Sequence, residues 1–222
     1  MHLSEFWSGD LGLTLLTVSL VILLLVITPL REAGLPGRMF FELVIVVLMV
    51  CGALVVDQHR VAKALVISFV LLAAIALAAA RIHPTLLLHQ LGSLLATITL
   101  LLYARIVLLV MFRGGPVTWS RIQGGVCAYL LLGMAWASGY QLMEQLYPGS
   151  FQFMTRPADI DQLTAKLTYF SFCTLTTVGS DIIPVHPFAR SFTMAEAIVG
   201  QLFPAILIGA LVAMAMQART KS

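Results

Sequence analysis

Leu11 to Leu30 is an unbroken stretch of twenty residues without one charged side chain, and stretches of that kind recur along the chain. At 1.5 Å of rise per residue, a helix of about twenty residues spans about 30 Å, the thickness of a bilayer's hydrocarbon core. Six stretches meet that ruler: about Leu11–Leu30, Met39–Val56, Val61–Ala80, Pro84–Phe112, Ile122–Leu146 and Phe192–Met216. Polar links such as Asp57-Gln58-His59-Arg60 separate them. Only 10% of the 222 residues are charged and 60% are hydrophobic, against about 25% charged in a soluble domain. A chain so constituted would be insoluble as a globule. That excludes a nucleic-acid binder, a disordered chain, a disulfide scaffold and a water-soluble enzyme.

The charge balance, 13 Lys and Arg against 10 Asp and Glu, gives no large field for an anionic partner. Cys51, Cys127 and Cys173 each fall in an apolar run at no metal-ligand spacing and are expected to be buried, inert thiols. Met1 to Asp10 holds Glu5 and Asp10 but no Lys or Arg. It therefore lacks the basic region of a cleavable signal peptide, and the first apolar run is expected to stay as a span. Basic residues divide evenly between the two sets of links, so the positive-inside rule does not choose an orientation.

The link between the fifth and sixth stretches differs from the rest. Tyr147 to Asp161 is polar, with Pro148, Gly149 and Pro157, and Gln162 to Thr176 is a moderately apolar run rich in Thr and aromatic residues. That run is too short to cross a bilayer but suits a re-entrant helix. Asp159 and Asp161 stand where an acidic cap stabilises a helix start. The run ends in Thr-Thr-Val-Gly, poor helix material, followed by Pro184 and Pro187. A segment that enters a membrane, stops as a helix and returns must be shielded by protein or water, which implies a lined cavity.

The stretch Thr174-Leu175-Thr176-Thr177-Val178-Gly179-Ser180-Asp181-Ile182-Ile183-Pro184 resembles the filter of the tetrameric potassium-channel superfamily, Thr-x-Thr-Thr-Val-Gly-Tyr-Gly-Asp. Its flanks are similar too: Tyr169-Phe170-Ser171-Phe172 before it, and Glu196-Ala197-Ile198-Val199-Gly200-Gln201-Leu202 in the position of an inner helix. The close resemblance covers about Asp159 to Met216, and upstream it is only a matching number of spans, as in small bacterial six-span members. It implies an all-α membrane protein of six transmembrane helices plus a re-entrant pore helix and filter loop, with both termini in the cytoplasm. Residues 1–121 would form a four-helix peripheral bundle and residues 122–222 the pore domain. One pore segment per chain implies a homotetramer in the lipid bilayer of a cell membrane, the bacterial inner membrane by the same resemblance.

The physical reason for such residues is independent of the resemblance. A potassium filter replaces the ion's hydration shell with rings of backbone carbonyls, and backbone shapes that aim carbonyls along an axis come at little steric cost to Gly. By resemblance, a monovalent cation (K⁺, Na⁺ or both, as permeating ions) would lie at Thr177, Val178 and Gly179, within a filter of Thr176, Thr177, Val178, Gly179, Ser180 and Asp181. No other cofactor is expected. The departure is at Ser180, which stands alone where the family has Tyr-Gly. One carbonyl ring and the aromatic that packs sideways against the pore helix are missing. Three outcomes stay open: a wider filter with weak potassium preference, a filter with fewer sites that still selects potassium, or a collapsed filter. Four Asp181 carboxylates near the mouth would attract cations in any open form.

Other residues invite readings of their own. Arg105 is followed only by Arg113, eight residues on, whereas steep voltage sensing needs several charges, each contributing about 2.3 kcal/mol per 100 mV. Arg105 is expected to snorkel or to pair within the bundle, with Glu42 a partner by sign. Pro204 interrupts the last stretch between Gly200 and Gly209, a possible gate or hinge or else a static bend. Glu196 would either brace the filter from behind or sit at an interface. Ser180, Asp181 and His186 lack the turn and oxyanion donors of a serine hydrolase. The chain is therefore expected to be a passive cation channel and not an enzyme. A nonconducting structural or regulatory channel subunit is the alternative, and a carrier built on a half-helix end a weaker third. With six residues after Met216, a cytoplasmic ligand-binding domain is not expected.

Overall fold

The computed structural model describes residues 3–33, 85–112 and 118–219, together with Ser68, Leu71, Leu72, Ile75 and Ala79 as isolated helical positions. Apart from those positions, the expected spans Met39–Val56 and Val61–Ala80 lie outside the described residues, as do Glu42 and Cys51. The described chain is mostly helical. Helix α1 (Leu3–Ile22) continues through a π-helical turn, Leu23–Ile27, into α2 (Thr28–Glu32). Then come α3 (Leu86–Met111), α4 (Trp119–Leu146), β1 (Phe151–Gln152), α5 (Ile160–Leu175), β2 (Ile183–Pro184) and α6 (Pro187–Arg219). Among the described residues, four helical stretches are long and apolar enough to cross a membrane: Leu13–Glu32, Leu86–Leu109, Trp119–Leu146 and Pro187–Met216. They coincide with the first, fourth, fifth and sixth stretches read from the sequence.

The π turn has a local cause. Pro29 has no N–H to give, and its ring collides with the carbonyl four residues back in a regular helix. Widening the preceding turn by one residue relieves this. Both the backbone N–H of Thr28 and its Oγ1 (2.9 Å) go to the Leu23 carbonyl, a five-residue step.

Helix α4 is the hub, because small residues along it receive large ones from its neighbours. A methyl group built on Gly133 would come 2.6 Å from the Phe172 ring of α5, and one on Gly139 would come 2.9 Å from Phe192 of α6. On another side, Cys127, Ala128 and Leu131 of α4 pack with Leu16 and Leu20 of α1 and with Tyr103, Ala104 and Val107 of α3. A second core surrounds Tyr140, fully buried, whose ring meets Phe151, Phe170 and Phe192 edge-on. That aromatic centre fixes α5 between α4 and α6. By contrast α6 is scarcely covered: only 6% of its membrane-length window is buried, and Ile198, Leu202, Ile206 and Val212 are exposed.

Candidate functional site

Helix α5 starts where the acids direct it. The side chain of Asp159 accepts the backbone N–H of Gln162 at 2.8 Å, and the Gln162 amide oxygen accepts the N–H of Ala158 at 2.9 Å. One of the donors that every helix start leaves orphaned is thus satisfied, and the residue before the cap is tied back to the first turn. Asp161 is not a cap. It pairs with Arg31 of α2, and one turn on Lys166 pairs with Glu32 at 3.3 Å. The C-terminal end of the first span is therefore tied to α5 by two ion pairs.

At its other end, α5 closes in a Schellman motif. The N–H of Thr177 bonds the Thr174 carbonyl at 3.0 Å, and the N–H of Val178 bonds the Cys173 carbonyl at 2.9 Å. Such a motif needs one residue in the left-handed region, a place usually taken by Gly. Here it is Thr177, with φ 58°, and among the described residues it is the sole non-glycine with positive φ. For a β-branched residue this conformation is a genuine outlier, a strain that persists only when its surroundings enforce it. The enforcement is visible. Thr177 Oγ1 donates to the Thr176 carbonyl at 2.7 Å, and Gln201 Nε2 of α6 donates to Thr177 Oγ1 at 2.7 Å. Just behind, the Leu175 carbonyl accepts the Tyr129 hydroxyl at 3.1 Å and lies against Gly200, where a methyl group would come within 2.0 Å of it.

Gly179 returns to positive φ, at 87°, while Val178 does not. The backbone hand thus alternates across Thr177, Val178 and Gly179. Val178 is 79% exposed, and Thr177 is exposed as well. Ser180 then closes the short loop on itself: its Oγ accepts the N–H of Ile182 at 3.1 Å and donates to the Ile182 carbonyl at 3.3 Å. Asp181 is exposed beside it.

The chain leaves the loop under tight anchorage. Ile183 pairs with Gln152 and Pro184 with Phe151 in a two-stranded antiparallel bridge, and Arg190 Nε donates to the Pro184 carbonyl at 3.1 Å. Glu144, at the end of α4, accepts the N–H groups of Gly149 (2.8 Å) and Phe151 (3.1 Å). The sequence reading treated Tyr147–Asp161 as a plain polar link and missed this bridge, since two-residue strands carry no periodicity.

Glu196 lies behind α5. It is fully buried, with Oε2 accepting the Tyr140 hydroxyl and Oε1 accepting the Ser171 hydroxyl, each at 2.5 Å. Ser171 also lies 2.8 Å from the Gly133 carbonyl. Three helices therefore meet at one carboxyl, and of the two readings left open for Glu196 the interfacial one does not describe it. Pro204 lies inside a continuous α6, and around Gly209 a methyl group would meet nothing within 4 Å, unlike Gly200. Cys127 is buried, whereas Cys173 is half-buried. Arg105 is on the exposed side of α3, in a cleft lined by Leu101, Leu108, Leu109 and Phe112. Ser180 and His186 do not come together: the His186 ring stacks on Tyr147, with Nδ1 accepting the Phe188 N–H at 3.3 Å. Among the described residues, no cluster of His, Cys, Asp or Glu is arranged to hold a metal ion.

Residues 149–217 match a protein-family model described as ion channel. The matched stretch contains β1, α5, the loop from Thr176 to Asp181, β2 and nearly all of α6, and leaves residues 1–148 outside it. No curated protein and no solved structure matches the chain. The match supports an ion-channel function, and the four membrane-length helices agree with a membrane protein.

Proposed function

We propose that the chain is a passive cation channel and not an enzyme, assembled as a homotetramer around an axial pathway formed by Thr176, Thr177, Val178, Gly179, Ser180 and Asp181. The observation that carries this reading is the alternating backbone hand at Thr177, Val178 and Gly179, on an exposed loop anchored by Gln201, Tyr129 and Gly200. Alternation of hand turns successive carbonyls toward one side, which is what a dehydrating ion needs from a backbone. The C-terminal end of α5 stops at the same loop, so its partial negative charge, about half an elementary charge, favours a cation there. The uncovered apolar length of α6 supports assembly with further copies in a bilayer.

Selectivity follows from what is absent from the loop. With Ser180 in place of Tyr-Gly, one carbonyl ring is lost, and Ser180 bonds only within its own turn and not to α5. The pathway therefore prefers cations through Asp181 and the loop carbonyls, with a weak preference of K⁺ over Na⁺. The alternative reading is a nonconducting structural or regulatory channel subunit. Cation flux into liposomes holding the purified tetramer separates the two. Lengthening the loop, Ser180→Tyr-Gly, raises the K⁺ to Na⁺ permeability ratio if the account of the loop is right, and leaves it unchanged if it is wrong.

A further inference from the structure

We infer that Gln201 adds a ring of coordinating oxygens directly beneath Thr177, forming a monovalent-cation site at the base of the filter loop. The inference rests on the pathway proposed above and deepens it.

Proton accounting gives the orientation of the Gln201 amide. Thr177 Oγ1 has a single hydrogen, and its 2.7 Å contact with the Thr176 carbonyl consumes it, because a carbonyl can only accept. The 2.7 Å contact between Thr177 Oγ1 and Gln201 must then be made by an amide hydrogen, which assigns that end of the side chain as Nε2. The other end, Oε1, is left as an acceptor, and among the described residues no donor is hydrogen-bonded to it. Gln201, Thr177 and Val178 are all exposed, and the first two are in contact. The register is fixed one residue earlier: Gly200 allows α6 to rest on the Leu175 carbonyl, so residue 201 is carried to the foot of the loop.

Repeated around an axis, this arrangement presents four amide oxygens together with the remaining lone pairs of four Thr177 hydroxyls. All are neutral oxygens. Sites that hold divalent ions draw on carboxylates, so this one suits a monovalent ion that has shed part of its water. Such a ring offsets, from below, the carbonyl ring absent above Gly179.

The test compares wild type with Gln201→Met, which keeps length but has neither donor nor oxygen, and with Gln201→Glu, which keeps oxygens facing the pathway. K⁺ flux is measured in liposomes against K⁺ concentration on the side where α6 ends. For Gln201→Met the half-saturating concentration rises about tenfold and the K⁺ to Na⁺ ratio falls. Gln201→Glu keeps half-saturation within about twofold of wild type and gains block by Ba²⁺ from that side. A Gln201→Met tetramer that conducts with unchanged half-saturation and selectivity overturns the inference and leaves the proposed pathway standing. If wild type carries no flux, the proposed function fails. The inference is then judged by K⁺-dependent thermal stabilisation of detergent-purified tetramers. Stabilisation lost in Gln201→Met but kept in Gln201→Glu sustains it, and equal stabilisation in all three overturns it.

Discussion

Ser171 has one hydroxyl hydrogen and two neighbours that take it, the Glu196 carboxyl at 2.5 Å and the Gly133 carbonyl at 2.8 Å. A Gln at position 196 resolves the competition, because its amide can donate to Ser171 while its oxygen accepts from Tyr140. Glu196→Gln is therefore expected to unfold within about 1 kcal/mol of wild type, whereas Glu196→Ala takes the carboxyl acceptor from the buried Tyr140 hydroxyl, leaves Ser171 only the Gly133 carbonyl, and costs about 2 kcal/mol or more. Thermal unfolding in detergent checks both. At the loop, Gly179 has positive φ with nothing within 4 Å of a built methyl group, so Gly179→Ala strains the backbone without a clash. The expected cost is about 1–2 kcal/mol per chain, small enough to leave a folded tetramer. Its cation flux should fall nonetheless, because the carbonyl direction depends on that φ. The residue scale is also where the sequence was most and least readable. Thr177, Val178 and Gly179 announce themselves by type and order. The partners of Glu196 stand 25 and 56 residues away and that of Thr177 stands 24 away, and no local pattern encodes such pairings.

Helix α5 was legible as an element because its start is chemically marked by Asp159 and its end by a run of β-branched residues and Gly. What holds it in place was not. The clamp of Arg31 and Glu32 on Asp161 and Lys166 joins residues 130 and 134 apart, and the first span gave no sign of contact with the pore segment. Partly exposed pairs of this kind contribute about 0.5 kcal/mol each after solvent screening. Arg31→Asp and Asp161→Arg should each lower the unfolding temperature, and the double exchange should restore most of the loss. The three glycine and proline positions of α6 read alike in the sequence and separate in the structure. Gly200→Ala drives a methyl group into the Leu175 carbonyl, both sides being backbone, and is expected to cost about 3 kcal/mol or more. Gly209→Ala meets open space and should stabilise the helix by about 1 kcal/mol. Hinge motion in α6, if it contributes to gating, then belongs to Pro204 and Gly209, with Gly200 as the fixed point. Currents recorded from Pro204→Ala should show altered opening with unchanged ion preference.

The molecule as a whole leaves one of its apolar, membrane-length helices, α6, scarcely covered. A single chain leaves α6 scarcely covered and residues 176–179 exposed, and the proposed tetramer would cover both. Cross-linking in membranes should therefore yield a ladder ending at four chains. Four of the six apolar runs return as membrane-length helices among the described residues, because hydropathy reports the solvent and little else. How α4 meets α5 and α6 depends on small residues such as Gly133 and Gly139 meeting large ones, and a run of apolar letters conceals that. The central claim is that the loop from Thr176 to Asp181 conducts cations, and the most direct measurement is flux of K⁺ and Na⁺ into liposomes containing purified wild-type tetramers. The account predicts flux of both ions, K⁺ ahead by less than about tenfold, with anions excluded. Intact tetramers that pass neither ion would contradict it.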